Sequence, residues 1–353
     1  MTMNYDVKYM RRALQLARNG QMFASPNPMV GAVIVHNDKI IGEGFHRRCG
    51  QGHAEVNAVA SVTQPELLPY STIYVTLEPC SHYGKTPPCA QLIIDKKIPR
   101  VVIGNLDPFE KVSGRGVKML QDAGIEVIHG ILNEDCRQLN AKFITAHTLH
   151  RPFITLKWAQ SKDRFIDHIR TKDTPLAAHF STAITSTLVH KLRAFHDAIM
   201  VGSNTVINDN PGLDCRFWDG NSPTKVVIDR RGNVPCYSKI FTHNSQKTIY
   251  FTSKKRFDLP DAVNQQIINS DTQLSEIMSI LYQHGISSIL IEGGAQLLQN
   301  AIDHDLWDVA RIETSSFSLH QNGSVKAPII NKTAFESRII NENQIIFYSN
   351  SHI

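Results

Sequence analysis

Apolar and polar positions change rhythm repeatedly along the first half of the chain, and each change marks an element. Met10, Ala13, Leu14 and Ala17 recur at helical spacing, so a helix is predicted with Asp6 as its cap and Gly20 as its stop. Two strand-like runs follow, Val30–Val35 and Lys39–Phe45, and Asn37-Asp38 between them suits a two-residue hairpin turn. From there helices and strands alternate. Helices are predicted near His53–Val62, Cys89–Lys96 and Gly116–Ala123, strands at Thr72–Leu77, Val101–Gly104 and Ile125–Ile128, and a closing helix near Asn133–His147. Strands separated by single helices imply parallel neighbours with right-handed crossovers.

Pro152 disfavours helix in the residue before it, so a domain break is expected there, giving domains 1–149 and 150–353. Roughly 100–200 residues per domain agrees with two in this length. The second domain reads as another α/β series. Its predicted strands are Phe153–Trp158, Ala198–Gly202, Val226–Asp229, Thr248–Thr252, Ser288–Ile291 and Ile345–Tyr348. Its predicted helices are Thr187–Ala194, Leu274–His284 and Ala295–Ala301, with Asp209–Ser222 as a loop. No internal repeat or low-complexity tract interrupts the pattern.

Composition narrows the function. The balance of 37 Lys+Arg against 32 Asp+Glu gives a net charge of +5, too mild and too scattered to call for a nucleic-acid partner. No run of about 18 apolar residues is present, so no membrane span is expected, and the N-terminus lacks the apolar stretch of a signal peptide. Six cysteines are too few for a disulfide scaffold in 353 residues, which points to a reducing cytoplasm, where clustered Cys and His are metal or catalytic ligands.

They do cluster. His53-Ala54-Glu55 opens one predicted helix, Pro79-Cys80 follows a strand, and Cys89 opens the next helix. One His and two Cys suit tetrahedral Zn2+ with a fourth position left for water, as in catalytic rather than structural sites. Zinc lowers the pKa of such a water from about 15.7 to about 7. Glu55, two residues from His53, can carry its proton to a ring nitrogen or a leaving amine. The order H-x-E then P-C then Cys is that of the zinc deaminases.

The second cysteine lies eight residues beyond the first rather than two. The segment T-L-E-P-C-S-H-Y-G-K-T-P-P-C, with S-P-N-P-M-V-G-A-V-I-V (Ser25–Val35), G-F-H (Gly44–His46) and D-P-F-E-K-V-S-G-R-G (Asp107–Gly116), resembles the riboflavin-biosynthesis pyrimidine deaminases across nearly all of the first domain. The stretch from Leu188 to Arg216 resembles the reductase half that this family fuses to its deaminase. The resemblance implies a cytidine-deaminase-like three-layer α/β domain followed by a dihydrofolate-reductase-like α/β domain. It also implies Zn2+ and NADPH as cofactors, a small pyrimidine ribotide as substrate and a homodimer joined through the second domain. The expected reactions are hydrolytic deamination of 2,5-diamino-6-ribosylamino-4(3H)-pyrimidinone 5′-phosphate, then reduction of its ribosyl group to ribityl.

By the same resemblance Asn27, His46, His82 and Lys85 contact the deaminase substrate. Arg193, Leu213, Arg216 and Glu292 face the reductase substrate, and Ala159, Thr205, Asp209, Gly294, Ala295, Gln296, Leu297 and Leu298 touch NADPH. Two arginines are physically apt for a phosphate. Read from the residues alone, Ile289–Ala295 is a strand running through Gly-Gly into a helix, able to approach a phosphate but not a G-x-G-x-x-G fingerprint. The chain departs from the family where Asp-Gly after the first strand becomes Asp163-Arg164. The Ser-aromatic pair before the helix is also unmatched at Ala177–Phe180, so contacts in 163–182 are left unassigned. Two other readings are a deaminase of another nucleobase or of nucleic acid, and a non-catalytic zinc-stabilised binding protein. The first calls for C-x2-C spacing and a basic, aromatic surface, and the second for a fourth protein ligand.

Overall fold

The computed structural model describes residues 2–83, 87–108, 114–173, 175–243 and 247–350. The chain divides into two compact units, Met1–His150 and Arg151–Ile353. The first runs α1 (Thr2–Ala17), β1 (Gly31–His36), β2 (Lys39–Phe45), α2 (Ala54–Ala60), β3 (Thr72–Leu77), α3 (Cys89–Asp95), β4 (Arg100–Asn105), α4 (Arg115–Asp122), β5 (Glu126–His129), α5 (Asn133–Leu139) and α6 (Ala141–Leu149).

Its sheet has the order β2-β1-β3-β4-β5. The β1–β2 hairpin turns through Asn37 and Asp38 at φ 46° and 59°, the left-handed pair that matches strand twist. β3, β4 and β5 are parallel as expected, but β3 pairs antiparallel with β1, so the hairpin's first strand lies inside the sheet. Period-two alternation separates two cores. Val33, Val35, Tyr74 and Val102 meet α1 and α5, while Ala32, Ile34, Ile73 and Ile103 meet α2, α3 and α4, which makes a three-layer sandwich.

Two expectations need correction here. Asp6 is not the cap of the first helix but lies within α1, buried, where it accepts from Arg100 at 2.9 and 3.1 Å and from the Tyr74 hydroxyl at 2.9 Å. A carboxylate with three strong donors gains more there than at a helix terminus. The closing helix divides at Asn140, whose amide accepts from Met29 N–H at 2.8 Å and donates to Met29 carbonyl at 2.9 Å.

The second unit runs β6 (Phe153–Gln160), β7 (Phe165–His168), α7 (Ala183–Ala194), β8 (Ala198–Gly202), α8 (Ser203–Asp209), β9 (Thr224–Ile228), α9 (Lys239–Thr242), β10 (Thr248–Thr252), β11 (Val263–Ile267), α10 (Leu274–Gln283), β12 (Ser288–Glu292), α11 (Ala295–Asp303), β13 (Val309–Thr314), β14 (Gly323–Lys326), β15 (Glu336–Ile340) and β16 (Asn343–Ser349). Nine strands form one sheet, β11-β10-β9-β8-β12-β6-β13-β16-β15, parallel as far as β13 and antiparallel beyond it. α10 and α11 pack on one face and α7 and α8 on the other. Asp209, expected to open a loop, is the last residue of α8.

Where the family pattern breaks, Arg164 takes φ 64°, the left-handed conformation a glycine would occupy. Asp163 fixes that turn by accepting from Ser161 hydroxyl at 2.6 Å and from the N–H groups of Leu319 and His320 at 3.0 and 2.7 Å.

Replacing Asp6 with Ala strands Arg100 and the Tyr74 hydroxyl. We expect this to lower the unfolding free energy of the first unit by about 2–3 kcal/mol, read by urea denaturation. A change within measurement error would remove this network from the account of the fold.

Candidate active sites

Gly44 lets α2 lie directly on β2, since a Cβ there would meet Ala58 N at 2.3 Å and Ala54 O at 2.5 Å. His53 immediately precedes α2, Cys89 opens α3, and Cys80 follows β3, so two helix starts and a strand end converge. His53 Nδ1 lies 3.6 Å from Cys80 Sγ and 3.4 Å from Cys89 Sγ, and the three donor atoms all fall within 4.8 Å of one another. Bonds of about 2.0–2.3 Å at tetrahedral angles put such donors roughly 3.5–3.8 Å apart, so the three fit a zinc ion. Among the described residues they are the one group of this kind.

Glu55 is buried beside them, and burial raises its carboxyl to about 7, with Cys80 adding to the effect and His53 opposing it. Cys80 is lowered to about 4, chiefly because the Cys89 thiol hydrogen-bonds to its sulfur, with His53 and the Cys89 N–H helping. Cys89 is raised by the same interaction and by burial. A divalent cation would hold both sulfurs as thiolates.

Asn27 and His46 come together next to this cluster. His46 is buried and packs edge-on to His53, ring centroids 5.5 Å apart, and burial lowers its pKa, which favours the neutral ring. Its Nδ1 sits 3.2 Å from the Gly52 carbonyl, which assigns the proton to Nδ1 and leaves Nε2 to accept from Asn27 Nδ2 at 3.2 Å. His82 is exposed, and Lys85 lies outside the described residues.

Glu78 was missed in the sequence. It is buried two residues before Cys80, and its carboxylate accepts from the N–H groups of Asp107, Gly114, Gly116 and Val117 at 2.9–3.3 Å. This ties the start of α4 and the end of β4 to the strand end that carries Cys80. The signal was there in E-P-C facing G-R-G, but partners nearly forty residues apart cannot be paired from sequence.

In the second unit a cavity of about 930 Å³ runs along the C-terminal ends of β6, β12, β8 and β9. It stands near the top of the ligand-pocket range of about 300–1,000 Å³. Ala159, Thr205, Asp209, the turn Gly294–Leu298, Arg193, Leu213 and Glu292 all line it, whereas Arg216 is not among the lining residues. Gly293 and Gly294 take φ 89° and 78°, and a Cβ on Gly293 would meet Thr205 at 3.2 Å, so this wall stays backbone. With the first N–H groups of α11 it forms a cradle that fits a dinucleotide's diphosphate.

At the other end Arg193 pairs with Glu292 at 2.7 and 3.1 Å and donates to the Asp214 carbonyl at 3.0 Å. Burial raises Glu292, but Arg193 and Lys157 outweigh it and hold the carboxyl below its usual range. Lys157, also missed, lines this end and stands in register with Glu292 on one side and Arg311 on the other. Its pKa is lowered by loss of solvent, with Glu292 opposing and Arg311 adding to the effect. Arg216 is half-exposed and bound to Asp214 at 2.6 Å.

An open three-donor zinc cluster beside a buried carboxyl group, and a long cavity at a parallel-sheet edge, define a zinc-dependent deaminase joined to a reductase. Comparison with known proteins agrees. Residues 3–105 match the cytidine and deoxycytidylate deaminase zinc-binding region, and residues 152–319 match the RibD C-terminal domain. The riboflavin biosynthesis protein RibD of Aquifex aeolicus is 38% identical over 87% of this chain and 86% of its own length. That of Bacillus amyloliquefaciens is 37% identical over 82% and 78%. The crystal structure of a diaminohydroxyphosphoribosylaminopyrimidine deaminase/5-amino-6-(5-phosphoribosylamino)uracil reductase from Thermotoga maritima matches with a TM-score of 0.89 and 34% identity, over 99% of this chain and all of that one. RibD of Acinetobacter baumannii matches with a TM-score of 0.88 and 30% identity over the same shares. The chain belongs to the RibD family and carries the deaminase and the reductase of riboflavin biosynthesis, with zinc and NADPH as cofactors.

Glu78→Gln replaces one acceptor oxygen with a donor facing N–H groups. We expect deamination to fall about tenfold or more while NADPH oxidation on the deaminated intermediate is kept. Equal loss of both activities would assign Glu78 to stability alone.

Proposed function

We propose that the first unit deaminates 2,5-diamino-6-ribosylamino-4(3H)-pyrimidinone 5′-phosphate and that the second reduces the ribosyl group of the product to ribityl with NADPH. The observation that carries the reading is the buried Glu55 carboxyl beside the converging His53, Cys80 and Cys89 donors. The similar Thermotoga maritima protein is a deaminase and reductase named for both of these reactions.

In this reading His53, Cys80 and Cys89 hold zinc, which when bound lowers the pKa of the attacking water. Glu55 takes one proton from that water at a carboxylate oxygen and gives it to the ring nitrogen as the hydroxyl adds to the amine-bearing carbon. It then takes the proton of that hydroxyl and delivers it to the amine, so that the carbonyl forms as the C–N bond breaks and ammonia leaves. Asn27, its amide oriented by His46, meets the ring or sugar, and His46, His82 and Lys85 complete the ribotide contacts.

In the second unit NADPH, bound along Ala159, Thr205, Asp209 and Gly294–Leu298, supplies the hydride. Leu213 and Glu292 orient the sugar at the charged end of the cavity, Arg193 keeps Glu292 ionised, and Lys157 adds a donor for the pyrimidine. Arg193 and Arg216 share the phosphate, Arg216 swinging from Asp214 to reach it. The six cysteines are free of disulfides, which suits the cytoplasm. A homodimer through the second unit has a surface suited to it in the edge strand β15, with Phe335 beside it and Ile339 on it exposed.

Glu55→Gln is expected to abolish ammonia release while zinc stays near one per chain and reduction of the deaminated intermediate continues. Ammonia release at the wild-type rate would remove Glu55 from the mechanism. Arg216→Ala is expected to raise the reductase KM about tenfold with kcat little changed, and an unaltered KM would retire its phosphate role.

A further inference from the structure

NADPH and NADH differ only in a phosphate on the adenosine 2′-oxygen, at the opposite end of the molecule from the ring that gives the hydride. In the second unit the chemistry-bearing end of the cavity is set by Lys157 and Glu292 on β6 and β12. The far end is walled by Arg230 and Arg231, just after β9. β9 is three strands from β6 in the sheet, roughly 14 Å at the usual strand spacing, with the Gly293-Gly294 cradle between. Ile228 and Leu274 give this end an apolar wall suited to an adenine face.

Three polar residues follow one another at the end of β9, and the structure separates their roles. Asp229 is an acid at the end of β9, the type of residue that could accept a ribose 2′-hydroxyl were its carboxylate turned to the cavity. Its side chain is instead turned inward and buried, accepting from Val234 N–H at 2.8 Å and the Tyr250 hydroxyl at 2.6 Å. Arg230 is engaged by the backbone carbonyls of Asn269, Ser270 and Thr272. Arg231 is exposed, and among the described residues no hydrogen bond or ion pair engages it.

We propose that Arg231 is the residue that selects NADPH over NADH, its guanidinium binding the 2′-phosphate. The inward turn of Asp229 removes the acceptor that would favour the 2′-hydroxyl. Arg230 spends its donors shaping the wall, so discrimination falls on one planar cation, whose fork matches a phosphate. The inference rests on the reductase reading above and adds the source of its cofactor preference.

Calorimetric titration of the purified full-length chain with NADPH, NADH and adenosine 2′,5′-bisphosphate tests it. Wild type should bind NADPH more tightly than NADH, by a factor on the order of 10 to 100. Arg231→Ala should weaken NADPH and the bisphosphate by a similar factor and leave NADH unchanged, and Arg231→Lys should keep part of the preference. Unchanged NADPH affinity in Arg231→Ala, or an equal loss of NADH, overturns the proposal. Wild type binding both dinucleotides alike overturns it while leaving the reductase reading intact. Wild type binding neither removes that reading, and this proposal with it.

Discussion

Two cysteine sulfurs, an imidazole and a buried carboxyl group converge at the end of β3, and that set of groups calls for a cation. Without one, Cys80 and Cys89 contend for a single proton and Glu55 is pushed toward neutrality by burial. A divalent ion would fix both sulfurs as thiolates and offset the carboxylate, turning an unfavourable collection of buried acids into a site. The surrounding fold serves this arrangement. Gly44 brings α2 onto β2, Pro88 starts α3 at the right residue, and Glu78 holds the neighbouring loop against the same strand end.

Both units put their chemistry at the C-terminal edge of parallel strands, where helix starts expose N–H groups and side chains converge from neighbouring elements. They use that edge differently. The first gathers His53, Cys80, Cys89 and the buried Glu55 around one point. The second draws it out along four strands, with Lys157, Arg193 and Glu292 at one end, the Gly293-Gly294 backbone in the middle and Arg230 and Arg231 at the other end. Hydride transfer needs a long molecule held straight, and a row of strand ends provides the length.

Much of this was legible in the sequence where the determinants were local. The strands of the first sheet alternate cleanly, and H-A-E, P-C and the second Cys sit at element boundaries that the same alternation predicts. What escaped was long-range or counter to pattern. β13 was not predicted because Arg311 and Glu313 interrupt V-A-R-I-E-T, yet both are buried in a central strand, with Arg311 in register with Lys157. Lys157 hid inside an apolar strand for the same reason. Asp6 looked like a cap because its partners, Tyr74 and Arg100, are far away in sequence. Arg164 holds a glycine's backbone angle through Asp163 and the N–H groups of Leu319 and His320, contacts made by a segment more than 150 residues distant.

The central claim is that three protein atoms hold zinc and leave one position for solvent. Zinc X-ray absorption on the purified chain measures that directly. Two sulfur scatterers with two nitrogen or oxygen scatterers at about 2.3 and 2.0 Å are predicted. A shell of four protein sulfur and nitrogen donors without a solvent oxygen, or zinc that a mild chelator strips without loss of deamination, would contradict it.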